Sequence, residues 1–382
     1  MGKKLALIFI IVLLIIPVLP VGAKAEQRNF SVSAQAAVLI DQESGRVLYG
    51  KNENTPLRIA SITKIMTAIL AIESGKLDEM VKVSSKAERT EGSSIYLRAG
   101  EKIKLEHLVY GLMLRSGNDS AVAIAEHVGG SLEGFVYMMN EKAKELGMAN
   151  TMFQNPHGLD DHEDHYSSAY DMALLTQYAM GNEIYREVAS TKSYRVDGEQ
   201  IRVWRNKNRL LTELYQYSTG GKTGYTKRAK RTLVSTAEKE DMNLIAVTLN
   251  APSDWHDHMN LFNWAFDSYN VEVLVEEGIL KNIKDEFYKD HVYTPYSFEY
   301  PLTKSEFDSL KKEITLYKPP EEERAGQYIP PSPVGKIEFK LNETVIGKIP
   351  LLYDPPEVEE KKGFWARVFD FFSFTIGVKS SD

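Results

Sequence analysis

The chain has 382 residues, a net charge of −7 and no cysteine. Hydrophobic residues make up 43% and charged residues 26% of the sequence, a globular composition large enough for one large domain or two moderate ones. The acidic balance argues against nucleic acid as a partner, and the absence of cysteine excludes disulfides, zinc–thiolate sites and thiol nucleophiles.

The N-terminus has the pattern of a secretory signal peptide. Lys3 and Lys4 precede an apolar run over residues 5–21, and Ala23-Lys24-Ala25 forms a small–x–small cleavage site. The alternative is an uncleaved membrane anchor, because the apolar run approaches the length of a membrane span. Two prolines near the end of the run and the cleavage site favour a signal peptide over residues 1–25, with cleavage near Ala25.

The next segments predict a sheet with helices on its faces. Residues 36–52 alternate around the turn "QESG", as two strands do, and apolar residues recur at helical spacing from Ile59 to Ser74. Residues 221–252 predict two adjacent strands with a turn at "EKED". The first and last strands are expected to share one antiparallel sheet, because each pair lacks partners alone. Further helices are predicted over 107–130 with a break at "RSGND", and over 132–148, 168–181 and 255–269.

Composition shifts from about Asn270 towards short β-like runs and proline-rich stretches. This shift predicts a large α/β (α+β) domain over 26–272 and a small all-β domain over 273–356, with the boundary near 271–277. Residues 361–380 then predict an amphipathic helix. Its apolar stretch, residues 364–378, would be only about 22 Å long and contains charge, so it is too short and too polar to span a bilayer.

The terminal helix is predicted to lie in a membrane interface. Its aromatic and aliphatic side chains fall on one face, and flanking lysines would meet anionic headgroups. The alternative is a helix packed on the β domain. The residues concerned are Trp365, Val368, Phe369, Phe372, Ile376, Lys361, Lys362 and Lys379.

Ser61 and Lys64 stand near the start of the first helix, in "ASITK". Residues three apart share a helix face, and a helix N-terminus favours negative charge. The pair therefore suits a nucleophile and its base, but Ser-x-x-Lys alone fits an ordinary capped helix equally well.

Two motifs far away in the sequence favour the nucleophile-and-base interpretation over the capped helix. Ser116-Gly117-Asn118 lies at the break between two helices, and Lys222-Thr223-Gly224 opens a strand behind two glycines. Ser-x-x-Lys, Ser-x-Asn and Lys-Thr-Gly together are the signature of penicillin-binding proteins and class A β-lactamases. The chain resembles the D-alanyl-D-alanine carboxypeptidases of the low-molecular-mass penicillin-binding protein family, including the stretches "GSSIYLRAGEKI" and "FQNPHGLDDHEDHYSSAYDMALL". The resemblance covers nearly the whole chain and implies that family's transpeptidase-like catalytic fold.

The resemblance implies a role for each motif residue. Ser61 would attack the bond between two terminal D-alanines of a peptidoglycan stem peptide, with Lys64 as base and Ser116 relaying a proton to the leaving amine. Lys64 must then lose its proton easily, which burial and a neighbouring cation such as Lys222 would achieve. The implied substrate-binding and oxyanion residues are Asn118, Lys222, Thr223, Gly224 and Tyr225.

The resemblance also implies partners and a location. β-Lactams would be covalent inhibitors, no cofactor or metal is required, and the protein would act outside the cytoplasmic membrane, held there by its C-terminal helix. A metal site at His157, His162 and His165 is not favoured, because the metalloprotease spacing is missing. His256 and His258 are expected in solvated positions, and Ser93 and Ser94 at the groove edge or in a turn.

Several alternatives stay open from sequence. A β-lactamase lacks support because no Glu-x-x-Leu-Asn pentapeptide occurs between the second and third motifs. A D,D-endopeptidase would use the same residues, and an inert wall-binding protein would have no need of intact motifs. The family usually has Ala-Gly where this chain has Ala229-Lys230, which leaves substrate preference open. A vegetative and a spore-cortex role are both compatible with the chain.

Overall fold

The computed structural model describes residues 31–197, 201–318 and 332–354. The predicted signal peptide (1–25) and the predicted amphipathic helix (361–380) lie outside these residues. No helix in the three described ranges is long and apolar enough to cross a membrane.

Short blocks of strands and helices alternate along the described chain. The strands are β1 Ala36–Asp41, β2 Val47–Lys51, β3 Met80–Lys82, β4 Lys102–Lys104, β5 Ser193–Val196, β6 Arg202–Arg205, β7 Ser218–Thr226, β8 Lys230–Lys239, β9 Met242–Leu249, β10 Asn270–Val275, β11 Gly278–Ile279, β12 Val292–Thr294, β13 Phe298–Leu302, β14 Lys311–Leu316, β15 Gly335–Leu341 and β16 Thr344–Tyr353. The helices are α1 Lys64–Glu73, α2 Ser85–Glu88, α3 Leu105–Tyr110, α4 Asn118–Gly129, α5 Leu132–Glu145, α6 Ala169–Met180, α7 Glu183–Ser190, α8 Asp254–Ser268 and α9 Lys304–Ser309.

A five-stranded antiparallel sheet in the order β2-β1-β9-β8-β7 forms the centre of the first part. The expectation that the first and last strands share one sheet is confirmed, because β1 pairs with β9 from Ala36↔Leu249 to Asp41↔Leu244. Strand β7 lies at the edge. As a result, the strand that carries Lys222 keeps one side available beside the helices.

The two adjacent strands predicted around the turn at "EKED" are confirmed as β8 and β9. The prediction is incomplete, since a third strand, β7, also occupies this region. The turn between β7 and β8 covers residues 227–229, and its Lys-Arg-Ala sequence lacks the usual turn residues. Lys230 supplies the left-handed conformation instead, with φ +60°. The position where the family usually has glycine therefore needs a backbone that glycine adopts readily.

Burial explains why the sheet has helices on both faces. Every residue of β1 is buried, and its side chains alternate between two separate apolar clusters. Val38 and Ile40 face the cluster that includes α1, α4 and α6, whereas Leu39 packs with Phe262 of α8. Side-chain caps begin five of the described helices: Ser84 for α2, Ser131 for α5, Ser168 for α6, Asn182 for α7 and Thr303 for α9.

The C-terminal part is rich in β-structure. β10 pairs with β13, and a second sheet runs β11-β12-β16-β15-β14 around Ile337, Phe339, Ile349 and Leu351. Arg46, in the turn between β1 and β2, reaches this part: it bonds to Glu306 and its guanidinium lies 5.1 Å from the Tyr300 ring centroid.

Candidate active site

Ser61 and Lys64 lie where a short 3₁₀ turn, Ala60–Thr63, enters α1. Ala60 has φ +49°, an unfavourable value for a side chain with a Cβ, immediately before Ser61. Gly158, with φ +85°, packs so closely on this turn that a Cβ would lie 1.9 Å from the Ala60 carbonyl oxygen. The loop containing Gly158 thus holds the serine turn in place.

The Lys64 side chain is fully buried and surrounded by oxygen atoms. Its Nζ lies 2.9 Å from Ser61 Oγ, 2.7 Å from Asn118 Oδ1 and 2.5 Å from the His157 carbonyl oxygen. Burial, followed by the charges of Lys222 and Lys207, lowers the pKa of Lys64 well below its usual value.

These contacts determine how a neutral Lys64 would be oriented. A neutral amine has two N–H groups and one lone pair, and the two carbonyl-type oxygens of Asn118 and His157 can only accept. The lone pair is then left for Ser61, whose hydroxyl can donate to it. The neutral lysine is therefore arranged as a base towards Ser61.

The second motif lies where α3 widens into π-type turns over Gly111–Arg115 and stops. Ser116 is left-handed, with φ +63°, and α4 begins at Asn118. Asn118 Nδ2 donates to the Glu91 carbonyl oxygen at 2.6 Å, while its Oδ1 faces Lys64. The predicted break is confirmed, and it brings Ser116 and Asn118 beside the serine turn.

The third motif lies on edge strand β7. Lys222 is 2% exposed, and its Nζ donates to Ser116 Oγ at 3.1 Å and to the Thr223 carbonyl oxygen at 2.8 Å. Burial, together with the charge of Lys207, lowers the pKa of Lys222 to about 7. Two acceptors leave one N–H of the ammonium available to a bound anion.

Gly224 permits close contact between β7 and the serine turn. A Cβ on Gly224 would lie 2.4 Å from Thr232 Oγ1 and 2.9 Å from the Ser61 backbone nitrogen. Thr223 is half-buried beside it, and Tyr225 is exposed. All eight residues expected from the motifs thus lie on the serine turn or the start of α1, on the Ser116 loop or the start of α4, or on β7.

Two charged residues near these motifs were missed from sequence. Lys207 lies in the loop after β6, donates to Ser93 Oγ at 3.3 Å, and lowers the pKa of both Lys64 and Lys222. Asp119 is buried and accepts from Ser94 Oγ at 2.6 Å and from backbone N–H groups of residues 95 and 97. Asp119 could have been suspected from its place beside Asn118; the sequence around Lys207 carries no comparable signal.

His157, His165 and His258 are buried and contact neighbouring protein groups. His165 is buried between Thr63 Oγ1 and the Gln154 N–H, and burial lowers its pKa to about 4. His157 contributes its carbonyl oxygen to Lys64. The expectation that His258 is solvated is wrong: it is fully buried between Ser235 and Thr248, on the sheet face opposite α1. The parts of the chain that the structure covers hold no cluster of three metal-ligating side chains.

The arrangement suits acyl transfer at a serine. A hydroxyl meets a buried amine of lowered pKa, a second buried amine lies close to it on an edge strand, and the Gly224 backbone packs against the Ser61 backbone nitrogen. A peptide could add to the free side of β7 through main-chain hydrogen bonds.

Comparisons with known proteins agree with this chemistry. Residues 22–253 match the family described as D-alanyl-D-alanine carboxypeptidase, and residues 270–359 match the penicillin-binding protein 5 C-terminal domain. The chain is 38% identical to D-alanyl-D-alanine carboxypeptidase DacF of Bacillus subtilis over 301 residues, covering 74% of this chain and 76% of DacF. It is 34% identical to DacC of Escherichia coli over 361 residues, covering 89% and 88%.

A solved structure shares the two-part architecture. Penicillin binding protein 5 from Haemophilus influenzae superposes with a TM-score of 0.71 at 26% identity, covering 85% of this chain and 97% of that one.

Proposed function

Because the chain belongs to the D-alanyl-D-alanine carboxypeptidase family and is a serine-type enzyme of its low-molecular-mass penicillin-binding group, we propose that Ser61 and Lys64 carry its reaction. The observation that supports this most directly is the 2.9 Å contact between Ser61 Oγ and the buried Lys64 Nζ. Peptidoglycan stem peptides as substrates and β-lactams as ligands are consistent with the family.

The first step is acylation. Ser61 Oγ attacks the carbonyl carbon of the penultimate D-alanine while neutral Lys64 takes the hydroxyl proton. Ser116, which contacts Lys222, passes a proton to the leaving D-alanine nitrogen. Water then hydrolyses the ester and regenerates Ser61.

The remaining motif residues position the substrate. Lys222 and Thr223 bind the terminal carboxylate, with Lys207 adding positive charge from the next loop. Asn118 orients the substrate amide. Backbone N–H groups of Ser61 and Tyr225 stabilise the oxyanion, since Gly224 lets β7 approach the Ser61 nitrogen closely.

The predicted signal peptide, two domains and terminal helix complete the proposal. A signal peptide over 1–25 directs export, residues 26–272 form the catalytic domain and 273–356 the β domain. The amphipathic helix over 361–380 holds the enzyme at the outer face of the cytoplasmic membrane.

Digestion of purified muropeptides tests the proposed function. Conversion of pentapeptides to tetrapeptides with release of D-alanine is expected from the natural chain and not from Ser61→Ala. Rapid, repeated hydrolysis of nitrocefin without D-alanine release would instead identify a β-lactamase.

A further inference from the structure

The peptide group between Ala60 and Ser61 lies at the centre of the serine turn. Its carbonyl oxygen belongs to Ala60, which has φ +49°, and its N–H belongs to Ser61 and is one of the two proposed oxyanion donors. A peptide group is planar, so whatever fixes the direction of the Ala60 carbonyl also fixes the direction of the Ser61 N–H. An unfavourable φ persists only where surrounding contacts hold it. The contacts of the Ala60 carbonyl therefore bear on the oxyanion hole.

A buried hydroxyl and a buried histidine hold this carbonyl. Thr63 is fully buried, and its Oγ1 donates to the Ala60 carbonyl oxygen at 2.8 Å. His165, which is 3% exposed, places its Nε2 2.9 Å from the same Thr63 Oγ1. The backbone N–H of Gln154 lies 3.0 Å from the other ring nitrogen, Nδ1, and the Phe153 ring packs edge-on against the imidazole. The imidazole is thus fixed at both of its nitrogens.

The donors and acceptors in this series of contacts have one consistent assignment. The Gln154 N–H can only donate, so His165 Nδ1 must accept and the neutral ring carries its proton on Nε2. Nε2–H then donates to Thr63 Oγ1, whose own proton is directed to the Ala60 carbonyl, a group that can only accept. Burial lowers the pKa of His165 to about 4, which keeps the ring in this neutral form. Each group therefore fixes the position of the next hydrogen.

Two further contacts hold the backbone around Ala60. Thr232 Oγ1, on β8, donates to the carbonyl oxygen of Ile59 at 2.9 Å. Gly158 packs against the Ala60 carbonyl with no room for a Cβ. Neither contact donates a hydrogen to that carbonyl, which Thr63 does. The direction of the Ala60 carbonyl therefore depends on the Thr63 hydroxyl, and the direction of this hydroxyl depends on His165.

We propose that His165 is a positioning residue for acylation: through Thr63 it aligns the peptide group before Ser61 so that the Ser61 N–H points at the developing oxyanion. His165 acts on the substrate only through the serine turn and does not touch it. The aligned N–H stabilises the oxyanion of the transition state more than the carbonyl of the bound substrate. Loss of the alignment should therefore lower kcat rather than raise KM. This proposal rests on the proposed serine carboxypeptidase function.

The test uses two pairs of variants. His165→Leu removes both ring nitrogens, whereas His165→Gln keeps one acceptor and one donor that flank a single carbon, as Nδ1 and Nε2 do. Thr63→Val removes the hydroxyl with little change of shape, whereas Thr63→Ser keeps it. His258→Leu is the matched control, because His258 is also a fully buried histidine with two hydroxyl partners, on the other face of the sheet. The concentration of active sites is taken from the end point of labelling by a fluorescent penicillin.

His165→Leu and Thr63→Val should each lower kcat for a diacyl tripeptide ending in D-Ala-D-Ala about 10- to 100-fold with little change in KM, since misplacing an oxyanion donor costs less than removing it. Affinity for a peptide boronic acid, which forms a tetrahedral adduct with the serine, should fall by a similar factor. The double variant His165→Leu/Thr63→Val should lose no more than either single variant, because both act through the same carbonyl. His165→Gln, Thr63→Ser and His258→Leu should stay within about threefold of the natural chain.

An equal loss of kcat in His165→Gln and His165→Leu would overturn the proposal, because the imidazole would then act through its shape rather than its hydrogen bonds. Unchanged boronic acid affinity in Thr63→Val would overturn it as well, and this variant serves as the test if His165→Leu does not fold. Failure of the natural chain to release D-alanine from the tripeptide would instead contradict the proposed function.

Discussion

The side-chain nitrogen of Lys64 lies 2.9 Å from Ser61 Oγ, in a position where the lysine is fully buried. Its two other contacts are acceptors, so a neutral Lys64 can only accept from Ser61. This geometry predicts that replacing Ser61 abolishes acylation, whereas replacing Lys64 only slows it.

Ser61→Ala should abolish covalent labelling by a fluorescent penicillin, because no other nucleophile replaces the hydroxyl. Lys64→Gln should keep Ser61 but slow labelling by about 10²- to 10⁴-fold, the usual contribution of a general base. The matched control is Ser190→Ala, an exposed hydroxyl on α7, which should label like the natural chain. Stoichiometric labelling of Ser61→Ala would contradict the assignment of Ser61 as the nucleophile.

Lys207→Gln should shift the pH profile of kcat/KM to higher pH. The charge of Lys207 lowers the pKa of both Lys64 and Lys222, so its removal raises both. Lys64 then stays protonated to higher pH, which moves the acidic limb upward, and Lys222 keeps its charge to higher pH, which moves the basic limb upward. Initial rates with a small tripeptide across the acidic and alkaline limbs would measure this. Lys207→Arg keeps the charge and should stay near the natural profile; equal shifts in both variants would contradict the electrostatic explanation.

Lys230→Gly should stabilise the chain by about 0.5–1 kcal/mol, because Lys230 has φ +60° and glycine adopts that conformation without steric cost. The measurement is urea unfolding followed by circular dichroism. Lys227→Gly is the matched control in the same turn: its φ is not positive, so glycine should destabilise there by a similar amount. If both substitutions lower the free energy of unfolding, the contacts of the Lys230 side chain contribute more to stability than the relief of backbone strain.

His258→Gln should make the chain less sensitive to acid. Burial lowers the pKa of His258 from 6.5 to about 3. Between these two pH values His258 is therefore protonated in the unfolded chain and neutral in the folded chain. The stability this provides is complete above pH 6.5 and is lost as the pH falls from 6.5 towards 3, at about 1.4 kcal/mol per pH unit.

Thermal unfolding between neutral and mildly acidic pH should therefore show a shallower pH dependence for His258→Gln, whatever the change in its stability at neutral pH. His256→Gln, an exposed histidine on the same helix, should leave the slope unchanged. An unchanged slope for His258→Gln would mean that His258 becomes charged in the folded chain.

Much of the fold was accessible from periodicity and turn residues. The β1–β2 hairpin, α1, the break at Ser116 and the pairing of early with late strands all followed from local pattern and the need for partners. The β7–β8 turn was missed because Lys227-Arg228-Ala229 has no turn signature. The β5–β6 hairpin, with strands of four residues, is too short to show a period.

Motif spacing was enough to name Ser61, Ser116 and Lys222 and the chemistry they resemble, because residue type and local backbone are properties of short segments. Burial and charge are properties of neighbours distant in the chain, and these only the folded structure supplies. Burial and the charges of Lys222 and Lys207 lower the pKa of Lys64, as its proposed role as a base requires, and the oxygens of Asn118 and His157 orient its amine. His258, which looks solvated in sequence, is closed off by two strands that precede it.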